Sequence, residues 1–152
     1  MNAGSDLVFV DTNVLLYEVD TTDISKQSTA HRWIESLWLH GNARVSWQVL
    51  DEFYANAVGK LGAPALIIRR LVDTYTLWEP SEFTFPLIQR AWHWTDHARL
   101  NYWGALILAA AERSGCRWLL SEDFAHKRKY GSVEAINPFL LEPNGLGATP
   151  AT

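Results

Sequence analysis

The chain has a single cysteine, Cys116. An internal disulfide and a thiolate cage for a metal are therefore excluded, and a reducing interior is the natural compartment, although a disulfide-free secreted protein fits too. Long apolar runs are missing as well. The greasiest stretches are interrupted too soon to cross a bilayer, and no basic segment followed by a long apolar one stands at the start. A soluble cytoplasmic protein with no membrane partner is the expectation. Positive charge is not in excess: the formal net charge is -4, so a polyanion has to be handled by local basic groups or by cations. There is no glycine-rich phosphate loop, because Gly59 and Gly62 are wrongly spaced and no Lys-Ser or Lys-Thr follows them. His31, His40, His93, His97 and His126 show no zinc-ligand spacing. Cys116 lies in an apolar context without an evident histidine base, which makes it a core residue and not a nucleophile.

Apolar and aromatic residues, by contrast, are plentiful. With 152 residues and 48% hydrophobic content, the chain can bury one sizeable core but not two, and its composition excludes a disordered protein. Eight tryptophans imply a core rich in indoles, an aromatic interface, or both. Residues 1–141 read as a single domain. The segment 142–152, with Pro143, Gly145, Gly147 and Pro150, reads as a flexible C-terminal tail.

Leu7 to Val10 is a continuous apolar run suited to a strand covered on both faces. Asp11, Thr12 and Asn13 then form a polar turn, and Val14 to Tyr17 a short helix. Asp20 to Ser28 reads as a polar loop. From about Thr29, Ala30, Trp33, Ile34, Leu37 and Trp38 recur at helical spacing up to Gly41. Ala43 to Val45 is a brief strand, and Ser46 caps a helix running to about Val58. Pro64 opens another helix, to about Val72, and Tyr75 to Trp78 reads as a strand stopped by Pro80. Pro86 to about His97 is helical. Asn101 to Arg113 is the clearest helix, with Trp103, Leu106, Ile107, Ala110 and Ala111 facing the core and Gly115 ending it. Arg117 to Leu120 and Val133 to Ile136 are strands. This alternation predicts a three-layer α/β/α domain with a mostly parallel central sheet.

Ligands of open parallel sheets bind beyond the carboxyl ends of the strands. Asp11 sits there after the first strand, and Asp123, with Glu122 beside it, after Arg117 to Leu120. Glu52, early in the helix that follows Ala43 to Val45, can reach the same edge. Carboxylates gathered in one place repel, and without a cation some must take up protons. A hard divalent ion such as Mg²⁺ or Mn²⁺ resolves the conflict through oxygen ligands. Taken singly, each residue is more simply a helix cap, a turn former or a solvated helix residue. Taken together, they fit a metal pocket as well as they fit that plainer account.

These segments carry a family resemblance. Phe9-Val10-Asp11-Thr12-Asn13-Val14-Leu15, Glu52, the helix from Asn101 to Ala111, Leu119-Leu120-Ser121-Glu122-Asp123-Phe124 and Ile136-Asn137-Pro138-Phe139 together resemble a PIN domain. More narrowly, they resemble the small bacterial ribonuclease toxins known as VapC. The resemblance implies an endoribonuclease that binds Mg²⁺ or Mn²⁺ and attacks RNA phosphodiesters with metal-activated water. It makes Asp11, Asp123 and Glu52 the catalytic and metal-binding residues, and Thr12, Asn13 and Ser121 the hydrogen-bonding groups that orient them. It also implies a homodimer and a cognate antitoxin that covers an apolar groove, to which Trp33, Trp38, Trp47 and Tyr54 could contribute. Other readings within it are an RNA-processing or structure-specific nuclease, and a binding module without turnover.

The chain departs from the resemblance at position 104. Where such proteins usually open the helix segment with an aspartate, this sequence has Trp103-Gly104-Ala105-Leu106-Ile107. Glycine supplies no side-chain oxygen and weakens a helix by about 1 kcal/mol relative to alanine. Close packing explains it without the resemblance; a lost carboxylate explains it with one, through natural change or a laboratory variant chosen to spare the host. Either history implies weak or absent cleavage. Asn101, one turn earlier, could lend a neutral oxygen. RNA phosphates could be engaged by Lys127, Arg128 and Lys129 after Asp123 and by Arg99 before the helix, although such charges equally suit a solvated loop.

Overall fold

Three short apolar runs become the centre of a five-stranded sheet. In the computed structural model, which describes residues 6–147, β1 (Val8–Val10) lies between β2 (Ala43–Arg44) and β3 (Trp118–Leu120), and all of these pair in parallel. Beyond β3 comes β5 (Val133–Ile136), also parallel, and β4 (Lys129–Tyr130) closes the edge as an antiparallel partner of β5. The order is β2-β1-β3-β5-β4. Every residue of β1 and β3 is buried, as continuous apolar runs require in a sheet covered on both faces. The helices α1 (Thr12–Val19), α2 (Ile24–His40), α3 (Trp47–Gly59), α4 (Ala65–Tyr75), α5 (Phe85–Ala98) and α6 (Tyr102–Arg113) flank it. The result is the three-layer α/β/α architecture expected. No helix among the described residues is long and apolar enough to cross a membrane.

Capping side chains set where the helices begin. Asp11, Asp23, Ser46, Thr84 and Asn101 each accept from a backbone N–H in the first turn of the helix that follows, which satisfies one of the donors a helix start leaves unpaired. At the end of α6, Gly115 takes a left-handed φ of 72°. There the Cys116 N–H reaches the Ala111 carbonyl at 3.0 Å and the Gly115 N–H the Glu112 carbonyl at 3.0 Å, a pairing that requires a residue free to turn left-handed.

Four local expectations change. The stretch Asp20 to Ser28 is not all loop: α2 starts at Ile24 under the Asp23 cap, and its first turn is too polar to show apolar periodicity. Tyr75 to Trp78 is not a strand. Tyr75 ends α4 and Thr76–Trp78 form a 3-10 turn, while the aromatic character of the segment reflects a cluster of Tyr75 and Trp78 with Trp38 and Phe53. The charged run at Lys127 to Lys129 leads into β4. Finally, Trp103 does not face the core. It is 63% exposed, because it stands in the first turn of α6, ahead of the fully buried span Ala105 to Ala111.

Beyond β5 the chain is tied back to α2. Trp33 Nε1 donates to the carbonyls of Pro138 and Leu141 at 3.0 and 3.1 Å, and Arg32 pairs with Glu142 at 3.0 Å. Of the segment read as a tail from Glu142, Pro143–Gly145 form a 3-10 turn, and residues 148–152 lie outside the described residues.

The burial of α6 yields a test. Leu108 is fully buried, and Leu108→Ala is expected to lower the unfolding free energy by about 2–5 kcal/mol through lost transfer energy and a residual cavity. Leu140→Ala, at a site 65% exposed, should change it by less than about 0.5 kcal/mol. Urea denaturation of both variants measures the contrast.

Candidate active site

The carboxyl ends of β1 and β3 meet at Asp11 and Ser121. The ladder runs one residue past the strands, with Asp11 N–H on the Leu120 carbonyl at 3.0 Å and Ser121 N–H on the Ile136 carbonyl at 3.0 Å. Asp11 is 6% exposed and Ser121 fully buried. One Asp11 oxygen accepts from the Thr12 N–H at 2.7 Å, and the other from Ser121 Oγ at 2.7 Å. Asn13 ties this pair to the next acid: its amide donates to Ser121 Oγ at 3.1 Å and to Asp123 Oδ2 at 3.1 Å. Ser121 Oγ accepts in turn from the Asp123 N–H at 3.1 Å. The two aspartates are thus braced by the same two side chains, although 112 positions apart by their numbers in the chain.

Glu52 approaches from α3. Thr12 Oγ1 donates to one of its oxygens at 3.0 Å, and Gln48 Nε2, one helical turn earlier, donates to the other at 3.2 Å. With its NH₂ held by Glu52, Gln48 turns its own oxygen into a buried position where it has no hydrogen-bonding partner. Asp11, Glu52 and Asp123 line a cleft of about 510 Å³ together with Gln48, Leu100, Asn101, Trp103, Gly104, Ile107 and Phe124. Among the described residues, no group of three or more His, Cys, Asp or Glu side chains gathers tightly enough to hold a metal ion by itself.

Gly104 forms part of the cleft wall. A Cβ placed there would meet Asn101 Oδ1 at 3.3 Å and Phe124 Cζ at 3.7 Å, so a side chain is accommodated if the Asn101 carboxamide yields by a few tenths of an ångström. Neither packing nor backbone conformation demands glycine. Asn101 lines the cleft, but its oxygen already accepts from the Gly104 N–H at 2.8 Å as the α6 cap.

Other sequence candidates fall outside the cleft lining. Glu122 turns away, accepting from Tyr17 at 2.6 Å and from Lys26 at 3.0 Å. Arg99 is exposed in a left-handed conformation after α5, and Lys127, Arg128 and Lys129 are exposed beyond Asp123. Trp33 is buried and not available as a surface aromatic. Sequence reasoning missed Gln48 and Phe124 as lining residues and placed Trp103 in the core. For Gln48 the available signal was its position one turn before Glu52.

Burial is the main force on Asp11: it pushes the carboxyl up from 3.8 to about 6, with the charges of Asp123 and Glu52 adding and the hydrogen bonds from Ser121 and Thr12 opposing. Between about pH 4 and 6 the folded protein therefore holds a proton that the unfolded chain has released. Stability from this group is greatest below that window and falls as pH rises through it, by on the order of 3 kcal/mol. In EDTA, the unfolding free energy of the parent measured against Asp11→Asn is expected to decline over this range. A difference that stays flat with pH would show that the buried carboxyl is not held in this way.

A model of the PIN domain family matches residues 8–131. Among solved structures, the chain is similar to VapC20 of Mycobacterium tuberculosis, described as a toxin that cleaves the sarcin-ricin loop. That likeness has a TM-score of 0.58 and 21% identity, and covers 74% of this chain and 86% of that one. No curated protein sequence matches. At such identity the structural likeness is one of fold, and it agrees with the sheet order and flanking helices described above. The family match begins at β1 and ends just past β4, so it takes in Asp11, Glu52, Gly104 and Asp123 alike: this chain belongs to the PIN domain family.

Proposed function

We propose that this protein is a metal-dependent endoribonuclease of the VapC toxin type whose activity is impaired by Gly104. The observation that carries the reading is the convergence of Asp11, Glu52 and Asp123, from three separate elements, on one cleft at the carboxyl edge of the sheet. Their donor set is all oxygen. Mg²⁺ commonly keeps several waters and uses one or two carboxylates, which suits Asp11 and Asp123 as direct or water-bridged ligands. The unpartnered Gln48 oxygen beside Glu52 suits a water of such an ion. These residues fit a hydrated Mg²⁺ or Mn²⁺ and do not fit a closed cage of protein ligands.

When bound, the cation supplies charge neutralisation at the phosphoryl oxygens and a water made more acidic. The protein's share is orientation. Ser121 and Thr12 hold Asp11 in one rotamer, Asn13 holds Asp123, and Thr12 with Gln48 fixes both oxygens of Glu52, so that Glu52 can accept a proton from the attacking water. A cognate antitoxin and a second copy of the chain complete the proposal. The cavity of about 760 Å³ lined by Trp47, Leu50, Tyr54, Val72 and Phe83, with Gln48, Asp51 and Arg69 among them, is a mainly apolar groove on which an antitoxin segment would rest. Gly104 also favours a second reading, a PIN module that binds RNA without cleaving it.

Two measurements test these statements. With Mg²⁺ or Mn²⁺ the parent is expected to cleave RNA weakly or not at all. Gly104→Asp should raise the rate by about a hundredfold, the scale on which misplacement of a reacting group acts, and tighten Mn²⁺ binding in calorimetry. Strong and equal cleavage by both chains would sink the impairment; tighter metal binding without cleavage favours the module. Separately, exchanging Lys127, Arg128 and Lys129 together for glutamine should weaken RNA binding and flatten its salt dependence, as expected when phosphate contacts are removed. Unchanged affinity and slope would leave this run as a solvated loop.

A further inference from the structure

The acidic cleft has a lining of two unlike chemistries. Asp11, Glu52 and Asp123 form one chemistry, and Trp103, Leu100, Ile107 and Phe124 the other. None of the described lining residues is Lys, Arg or His, so the cleft offers a phosphate no cationic side chain of its own. Trp103 is the outlier on α6. It is 63% exposed while every residue from Ala105 to Ala111 is buried, and among the described residues its ring neighbour is Tyr102, edge-on at 5.4 Å between centroids. An exposed indole in this setting offers a broad π surface in the lining of the same cleft as the three carboxylates.

We propose that Trp103 is a stacking platform for a nucleobase of the RNA this cleft binds, and that this indole is what makes the cleft favour an unpaired base. The proposal rests on the cleft being the phosphodiester site named above. A nucleotide carries counterparts to the two chemistries of the lining, an anionic phosphate and a flat aromatic base, and a cleft of about 510 Å³ lies in the size range of sites for single small ligands. In a duplex both faces of a base are covered by its neighbours, so an indole stacks well only on a base at a loop, a bulge, an end or an extruded position. Stacking is tolerant of sequence because every base has a π face, so Trp103 selects strandedness and leaves sequence preference to other contacts. The other exposed tryptophan on a neighbouring helix, Trp92, is 50% exposed but packs edge-on with Phe85 at 6.1 Å and does not line the cleft.

The test is binding of the full chain, with Mg²⁺ present, to a labelled unstructured RNA decamer and to a blunt RNA duplex of equal length. It is read by fluorescence anisotropy, with RNA integrity followed on gels. Trp103→Ala is expected to weaken decamer binding about tenfold, the scale of one base–aromatic stack, and Trp103→Phe to restore most of it. Trp92→Ala should leave decamer binding unchanged, and duplex binding should be indifferent to all three. Because Trp103 is mostly exposed, thermal melting of its variants should match the parent. The platform is overturned if Trp103→Ala binds the decamer as the parent does, if it loses duplex affinity equally, or if the parent binds no decamer. It is also overturned if the substitution alters sedimentation but not RNA affinity, which would make the indole a protein contact. The nuclease reading is judged apart, by Gly104→Asp. Loss of decamer binding in Trp103→Ala without cleavage by Gly104→Asp keeps the platform and removes the nuclease. Cleavage by Gly104→Asp whose KM is unmoved by Trp103→Ala keeps the nuclease and removes the platform.

Discussion

The buried carboxylate of Asp11 is the constraint around which the site is organised. An acid at 6% exposure is tolerable only where its oxygens are hydrogen-bonded or its proton is retained, and both conditions trace to the sheet. Parallel pairing of β1 with β3 brings Asp11 beside Ser121. The turn into α1 supplies the Thr12 N–H, so the same side chain caps a helix and closes a strand. A single residue thereby couples the register of the central sheet to the position of α1. Through Thr12 that coupling reaches Glu52 on α3, and through Asn13 it reaches Asp123.

This economy has an electrostatic consequence. The hydrogen bonds that position Asp11 also favour its ionised form, yet desolvation and the two neighbouring acids outweigh them. Asp11 is thus poorly placed to carry negative charge in the cation-free cleft, and on the proposed function a divalent ion would offset both desolvation and repulsion. The hydrogen bonds that position the three acids also keep their charges facing one cleft.

Much of this was legible in the sequence because it depends on local chemistry. The fully apolar strands, the Ser46 cap and the helix-ending Gly115 all follow from residue type and spacing, and the acids after β1 and β3 follow from the general behaviour of parallel sheets. Other features were hidden for identifiable reasons. The first turn of α2 faces water and carries no periodic signal. Tyr75 and Trp78 have strand-like composition, but their burial is explained by stacking with Trp38. Trp103 has the spacing of a core residue, but it stands in the first turn of α6, ahead of the buried span that begins at Ala105. The bracing of Asp123 by Asn13 joins residues 110 positions apart, a closeness that topology creates and periodicity cannot express.

Gly104 draws these strands of physics together. Its φ is unexceptional and a Cβ there meets only the yielding Asn101 cap and Phe124 at ordinary contact, so sterics do not select glycine. Helix energetics oppose it as well: glycine weakens a helix by about 1 kcal/mol relative to alanine, and an acid in the first turn would be favoured by the helix dipole. What glycine does change is the number of negative charges facing a cleft in which Asp11 is already pushed up to about 6. A fourth carboxylate would raise the cost of the cation-free state and increase the attraction for a cation, and glycine relaxes both. A glycine at this position therefore weakens the helix while adding no charge to the cleft. On the proposed function, stability without metal and affinity for metal are opposed at position 104, and glycine favours the former.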